Sequence, residues 1–180
     1  MYILPYKPIF IDSYEKIQSQ LFEYIRSAIN ANVTTAFVVE QTEILNICPG
    51  LRIFLDKSNL HYDIARFFVT NSGDSLPIHL DGSEQYPKFL ALNLPITGCD
   101  NSQMLWWDNV DIIKLIDQPS YSTFKVPILG GENKTIIHSL KLTSPHLVQV
   151  NIPHSVVNNQ DQPRAILSLR FQPEPVHLWH

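Results

Sequence analysis

The sequence is sparing in several things, and each shortage excludes a class of protein. Its two cysteines, Cys48 and Cys99, stand in no C-x-x-C spacing, which argues against a disulfide framework or a thiolate zinc site and leaves both expected reduced and buried. No stretch approaches the ~18 consecutive apolar residues of a membrane span, and no basic segment leads into an apolar run at the N-terminus. A cytoplasmic protein with no membrane partner is therefore expected. The 13 Lys and Arg residues are scattered singly and the formal charge is −4. A surface that tracks phosphates is disfavoured, so no nucleic-acid partner is expected. There are six glycines, no internal repeat and no low-complexity segment.

Hydrophobic residues make up 44% of a 180-residue chain, with nine Phe, seven Tyr and three Trp, enough for one domain that stands on its own core. Asp12 followed by Glu15 has the spacing of a capping box, and Tyr14, Ile17, Leu21, Tyr24, Ile25 and Ala28 recur at helical spacing, predicting a helix from about 13 to 30. A weaker helical stretch runs from Thr42 to Ile47 and ends at the Pro49-Gly50 break. The helical part thus spans about 1–50.

From about 51 to 172 the chain breaks into short β-branched and aromatic runs with turn residues between them: Ile64 to Thr70, Phe89 to Ile96, Gln103 to Trp107, Tyr121 to Ile128, Leu147 to Ile152 and Ala165 to Phe171. This predicts a mainly β sandwich or barrel with the N-terminal helix on one outer face. The tail after Gln172 reads as a strand stop and an extended terminus.

Leu76-Pro-Ile-His-Leu-Asp places His79 and Asp81 two apart. In extended backbone both side chains project from one face and can meet one metal ion. A third ligand from another strand would complete a 2-His-1-carboxylate face with about three positions open. Alone the pattern is weak, since seven His and ten Asp give roughly 0.4 such pairs by chance. His61-Tyr-Asp63 repeats the spacing. What separates the two is downstream: Asn151 to Phe171 reads as strand, polar hairpin, strand, with His154 and Arg164 ten residues apart and so able to face a common cavity. Arginine's planar fork suits a terminal carboxylate. Arg170 competes for that role, but six residues along an extended strand is about 20 Å, so the two cannot grip one small diacid. Asn93, Ser168, Trp106 and Trp107 are further candidates to line the pocket. His177 and His180, in the tail, are expected outside it.

The ordered set of H-x-D, then His154, then Arg164, together with Leu76-Pro-Ile-His-Leu-Asp and Pro-Arg-Ala-Ile-Leu-Ser-Leu-Arg-Phe, resembles the iron(II)- and 2-oxoglutarate-dependent oxygenases, in particular their prolyl-hydroxylase-like and aspartyl/asparaginyl-hydroxylase-like branches. The similar segments cover roughly residues 64 to 171. The resemblance implies a double-stranded β-helix of the jelly-roll or cupin kind. It further implies iron(II) on His79, Asp81 and His154, and 2-oxoglutarate anchored through its distal carboxylate by Arg164. Oxygen would be consumed and a C–H bond of an amino-acid, peptidyl or small-metabolite substrate hydroxylated, with release of succinate and CO2. The alternatives are a cupin-like metalloenzyme without 2-oxoglutarate, which would not need Arg164, and a non-catalytic barrel that binds a ligand. A halogenase is disfavoured because Asp81 keeps the carboxylate ligand. Neither the primary substrate nor the oligomeric state is legible.

Overall fold

The structure, a computed structural model, describes residues 4–31, 33–81, 89–117 and 125–179. Helix α1 (Tyr14–Asn30) forms as its periodicity requires, with Ile17, Leu21 and Ile25 on one buried stripe. Its start differs from expectation: Ser13 is the N-cap, in the left-handed region at φ 54°, and no side chain caps the helix. A capping box needs an extended N-cap residue, so the Asp12 and Glu15 spacing is not used.

The helix expected to end before Pro49-Gly50 does end there, at Ile47, but the chain returns at once to helix. Helix α2 (Gln41–Ile47) is followed directly by α3 (Pro49–Lys57), with the proline in the first turn. Its missing N–H costs nothing there. Leu51 and Leu55, one turn apart, are buried, and the helical layer therefore extends seven residues past the expected limit at about 50. The tail is likewise not extended, since α4 (Val176–Trp179) turns Leu178 and Trp179 back onto the same core.

Among the described residues, twelve strands form two six-stranded sheets. The first has the order β1-β10-β5-β12-β3-β2, built from β1 (Tyr6–Pro8), β2 (Thr35–Val39), β3 (Tyr62–Thr70), β5 (Leu90–Thr97), β10 (His146–Gln149) and β12 (Arg164–Phe171). The second has the order β7-β8-β4-β11-β6-β9, built from β4 (Ser75–His79), β6 (Ser102–Asp108), β7 (Asp111–Asp117), β8 (Lys125–Gly130), β9 (Thr135–Leu140) and β11 (His154–Asn158). All the pairings are antiparallel. The expected run from Leu147 to Ile152 stops at Gln149, ahead of a bend at Asn151 and Ile152, and residues 121–124 of the expected run from Tyr121 lie outside the described residues.

The first sheet has two different faces. Ala165, Leu167, Leu169 and Phe171 of β12, with Leu92 and Leu94 of β5 and Phe67 of β3, join the core under α1, α2 and α3. The alternate residues face the second sheet, where Ile166, Ala91 and Val148 meet Met104 and Trp106. β5 is buried on both faces along nearly its whole length, which explains its unbroken apolar run.

Candidate metal centre

β4 and β11 are neighbours in the second sheet, and their register sets His79 directly opposite His154. The rings lie 4.4 Å apart between centroids. A register shift between His154 and Val156 marks an irregularity at this point in the ladder, a common device for re-aiming a side chain beside a site. Asp81 follows β4, and its backbone N–H donates to Val150 O at 3.0 Å. One nitrogen or oxygen from each of His79, Asp81 and His154 lies within 4.8 Å of the others.

The two imidazoles are held in the same way. His79 Nδ1 meets Pro77 O at 2.8 Å and His154 Nδ1 meets Ile152 O at 2.9 Å. A carbonyl can only accept, so each Nδ1 carries the proton and each Nε2 presents a lone pair. Burial, reinforced by the neighbouring His79, pushes the His154 imidazole down to about 4, against the pull of Asp81. Burial would raise the Asp81 carboxyl, but the Arg170 guanidinium, with His154 and His79 behind it, holds it well below the usual carboxylate range. A neutral His154 imidazole and an ionised Asp81 carboxylate at neutral pH are the protonation states that a divalent ion requires of them.

Arg170 reaches this cluster from the first sheet. Its Nη2 donates to Asp81 Oδ2 and its Nη1 to Ser168 Oγ, and Ser168 Oγ donates in turn to Asn93 Oδ1. Asn93 and Ser168 are both buried, so these two expected pocket residues form a supporting chain behind Arg170.

Arg164 begins the same strand on the same face, and only 1% of it is exposed. Its Nε and Nη1, and the Oγ1 of Thr70 directly opposite on β3, have no hydrogen-bond partner among the described residues. A buried guanidinium without an anion is costly, and burial holds its pKa below the ordinary arginine value despite the nearby Cys99. The hairpin bearing Arg164 is fixed tightly. Asn158 Nδ2 donates to Thr70 O, Asn71 O and Gln162 O at 2.9–3.1 Å. Gly98, at φ +62°, lies so close that a Cβ would stand 2.2 Å from Pro163 O, which only glycine permits.

Trp106 is fully buried beside His154 in the ladder and donates Nε1 to Gln149 O at 2.9 Å, while Trp107 donates to Ser155 Oγ at 2.8 Å. His61 and Asp63 are exposed at the start of β3 and join no metal-holding group. His177 is exposed against Ser58 O, and His180 lies outside the described residues. Thr70 is not legible in the sequence, because an isolated threonine in a strand carries no signal until its cross-strand partner is known. A groove of about 510 Å³ between α1 and α3, lined by Phe10, Lys16, Ile53 and Lys57 among others, contains none of these residues.

No family model and no curated protein matches the sequence. Solved structures do match over nearly the whole chain. EvdO2 from Micromonospora carbonacea var. aurantiaca, complexed with 2-oxoglutarate, aligns at TM-score 0.55 and 13% identity over 93% of this chain and 85% of its own. A Pseudomonas putida prolyl-4-hydroxylase aligns at 0.52 and 11% over 93% and 91%. The viral collagen prolyl hydroxylase of Paramecium Bursaria Chlorella virus-1, in a 2OG complex, aligns at 0.51 and 10% over 92% and 94%. At such identities the likeness is one of fold, a double-stranded β-helix, which in this chain carries α1 on one outer face.

Proposed function

We propose that this chain is an iron(II)- and 2-oxoglutarate-dependent oxygenase that hydroxylates a C–H bond of an amino-acid, peptidyl or small-metabolite substrate. The observation that carries the proposal is the pairing of two incomplete groups on facing sheets. One is a 2-His-1-carboxylate cluster with both Nε2 lone pairs turned inward. The other is a buried arginine whose Nε and Nη1 find no hydrogen-bond partner among the described residues. A divalent ion satisfies the first and the distal carboxylate of a diacid satisfies the second, with Thr70 Oγ1 a ready donor beside Arg164.

His79, Asp81 and His154 would hold the iron. Bound there, it would supply the activation of oxygen coupled to oxidative decarboxylation of 2-oxoglutarate to succinate and CO2. The chain's own contribution is placement. The carbonyls of Pro77 and Ile152 fix the imidazole tautomers, Arg164 orients the co-substrate, and the apolar wall of Trp106, Met104 and Ile166 keeps water from the space between the sheets. A cupin-like metalloenzyme has no use for a buried arginine with such unmatched nitrogens, and neither does a non-catalytic barrel.

The test is anaerobic titration with iron(II) and 2-oxoglutarate, then succinate measurement on admitting air. One iron per chain, an iron-dependent 2-oxoglutarate site and slow succinate release without primary substrate are expected. A protein that binds iron but shows no affinity for 2-oxoglutarate would reduce the reading to the metal centre alone.

A further inference from the structure

Asp81 carries two oxygens, and they face different neighbours. Oδ1 lies 3.5 Å from His79 Nε2, on the side of the histidine pair. Oδ2 receives Nη2 of Arg170 from the opposite sheet. Arg170 is itself held by Ser168, and Ser168 by Asn93, so a buried relay leads from β5 through β12 to one oxygen of one carboxylate. Arg170 keeps the ordinary alternation of β12, on the same face as Arg164 and Ser168, and the register shift that follows it takes up one extra residue on β3, between Tyr62 and Ile64. An arginine that only balanced charge would not need a relay to fix its angle.

Building on the metal site proposed above, we infer that Arg170 is a positioning residue for that site: it occupies Oδ2 of Asp81 so that only Oδ1 is left to bind the ion. The consequence is a count of coordination positions. Two imidazoles and a one-oxygen carboxylate leave three of six positions open, enough for a chelating 2-oxo acid and oxygen. A carboxylate binding through both oxygens would leave two, and the 2-oxo acid would have to displace one of them. Partners that hold a ligand's other atom commonly set its orientation and donor strength. Arg170 also places a positive charge beside the ion, so its presence lowers rather than raises metal affinity. It is separate from the co-substrate anchor, since Arg164 stands six residues away on the same strand.

The experiment uses the full chain with manganese(II), which avoids oxidation. In crystals of the manganese-loaded parent, one Asp81 oxygen should be within bonding distance; in Arg170→Leu both should be. By calorimetry, Arg170→Leu should bind manganese at least as tightly as the parent. Its affinity for 2-oxoglutarate should fall at least about fivefold once the ion is loaded. The same fall should appear with 2-oxobutanoate, which lacks the distal carboxylate, because the loss arises at the metal. Arg170→Lys should restore one-oxygen binding, and Ser168→Ala, which removes only a hydroxyl, should move in the direction of Arg170→Leu by a smaller factor.

A one-oxygen Asp81 in Arg170→Leu with unchanged 2-oxo acid affinity overturns the inference and leaves the proposed function standing. A fall seen with 2-oxoglutarate but not with 2-oxobutanoate also overturns it, by making Arg170 the distal anchor. A parent that binds no divalent ion removes both this inference and the reading it rests on.

Discussion

The molecule has two interiors that share a sheet. Between the helices and the first sheet lies a core of Ile17, Leu21, Leu51, Phe67, Leu92 and Leu167, in which buried polar atoms are matched: Tyr14 Oη donates to Pro95 O at 2.6 Å and Tyr62 Oη to Gln41 O at 2.8 Å. Between the two sheets lies a smaller cluster around Trp106 and Ile166, and with it His154, Arg164, Ser168 and Asn93 are buried. Here Arg164 Nε and Nη1 and Thr70 Oγ1 are left unmatched. β12 serves both, with apolar residues on one face and Arg164, Ser168 and Arg170 on the other. The first interior stabilises the fold; the second keeps polar groups that apolar packing would serve better, and their use has to be sought in a ligand.

The largest contrast comes from the metal cluster. His79→Ala, Asp81→Ala and His154→Ala are each expected to abolish iron binding, because the two protein ligands left are too few to hold a labile divalent ion. His61→Ala and Asp63→Ala, with the same H-x-D spacing, should leave it intact. Iron titration of the five variants decides between the pairs, and loss in the His61 variant with retention in the His154 variant would reverse the assignment.

The first interior answers to a different measurement. Phe67 is fully buried and stacks near Tyr24 and Phe37 at 5.4–5.7 Å. Phe67→Ala should lower the unfolding free energy by about 3–5 kcal/mol, read by denaturant titration, while iron stoichiometry in the folded fraction stays at that of the parent.

Next in size is a pH effect confined to the second interior. An imidazole held at about 4 in the folded state, against an unfolded value near 6.5, takes up its proton more readily when unfolded. The stability tied to neutral His154 is therefore complete above pH ~6.5 and lost as pH falls toward 4, at most roughly 3 kcal/mol in all. Asp81, held below its ordinary value of 3.8, loses stability in the same direction and adds to the slope only at the acid end of that window. Metal-free protein should lose stability from pH 6.5 to 4, and His154→Gln should flatten that slope. An equal slope in both would place the titration elsewhere.

How much of this was legible beforehand follows the same division. Helix α1 and strands β3, β5, β6 and β12 were readable because one or both faces are buried, and burial leaves a periodic or continuous apolar trace. β7 and β9 are the edges of the second sheet, where Ile112, Ile113, Ile136 and Ile137 are exposed; without a solvent face of polar residues their alternation is lost. α3 was hidden because proline is both a helix breaker and a favoured first residue, and local sequence does not say which. At the site, the spacing from His154 to Arg164 singled out His79 over His61, and the strand register sets His79 opposite His154. The ends of Arg170 and Thr70 were not legible: one reaches across to the other sheet, the other gains meaning only from its cross-strand partner.

The smallest expected effect sharpens the contrast most, because it requires two measurements to move in opposite directions. Arg164 is buried with two guanidinium nitrogens unmatched among the described residues, so without a ligand the protein carries a desolvation cost that these nitrogens do not recover. Replacing such a group by an apolar side chain of similar length is often neutral or stabilising. Arg164→Met should therefore melt at or above the temperature of the parent, whereas a comparable change in the helical core lowers it. The same variant loses the bidentate partner of the distal carboxylate, and its constant for 2-oxoglutarate should rise at least about tenfold, equivalent to ~1.4 kcal/mol, with iron binding nearly unchanged. Adding saturating 2-oxoglutarate and iron should then stabilise the parent more than the variant, reversing their order. Differential scanning fluorimetry with and without ligand reads both halves. A variant that is destabilised when empty and unaffected in its 2-oxoglutarate constant would show that Arg164 belongs to the packing of the fold, and that the second interior is not built around a diacid.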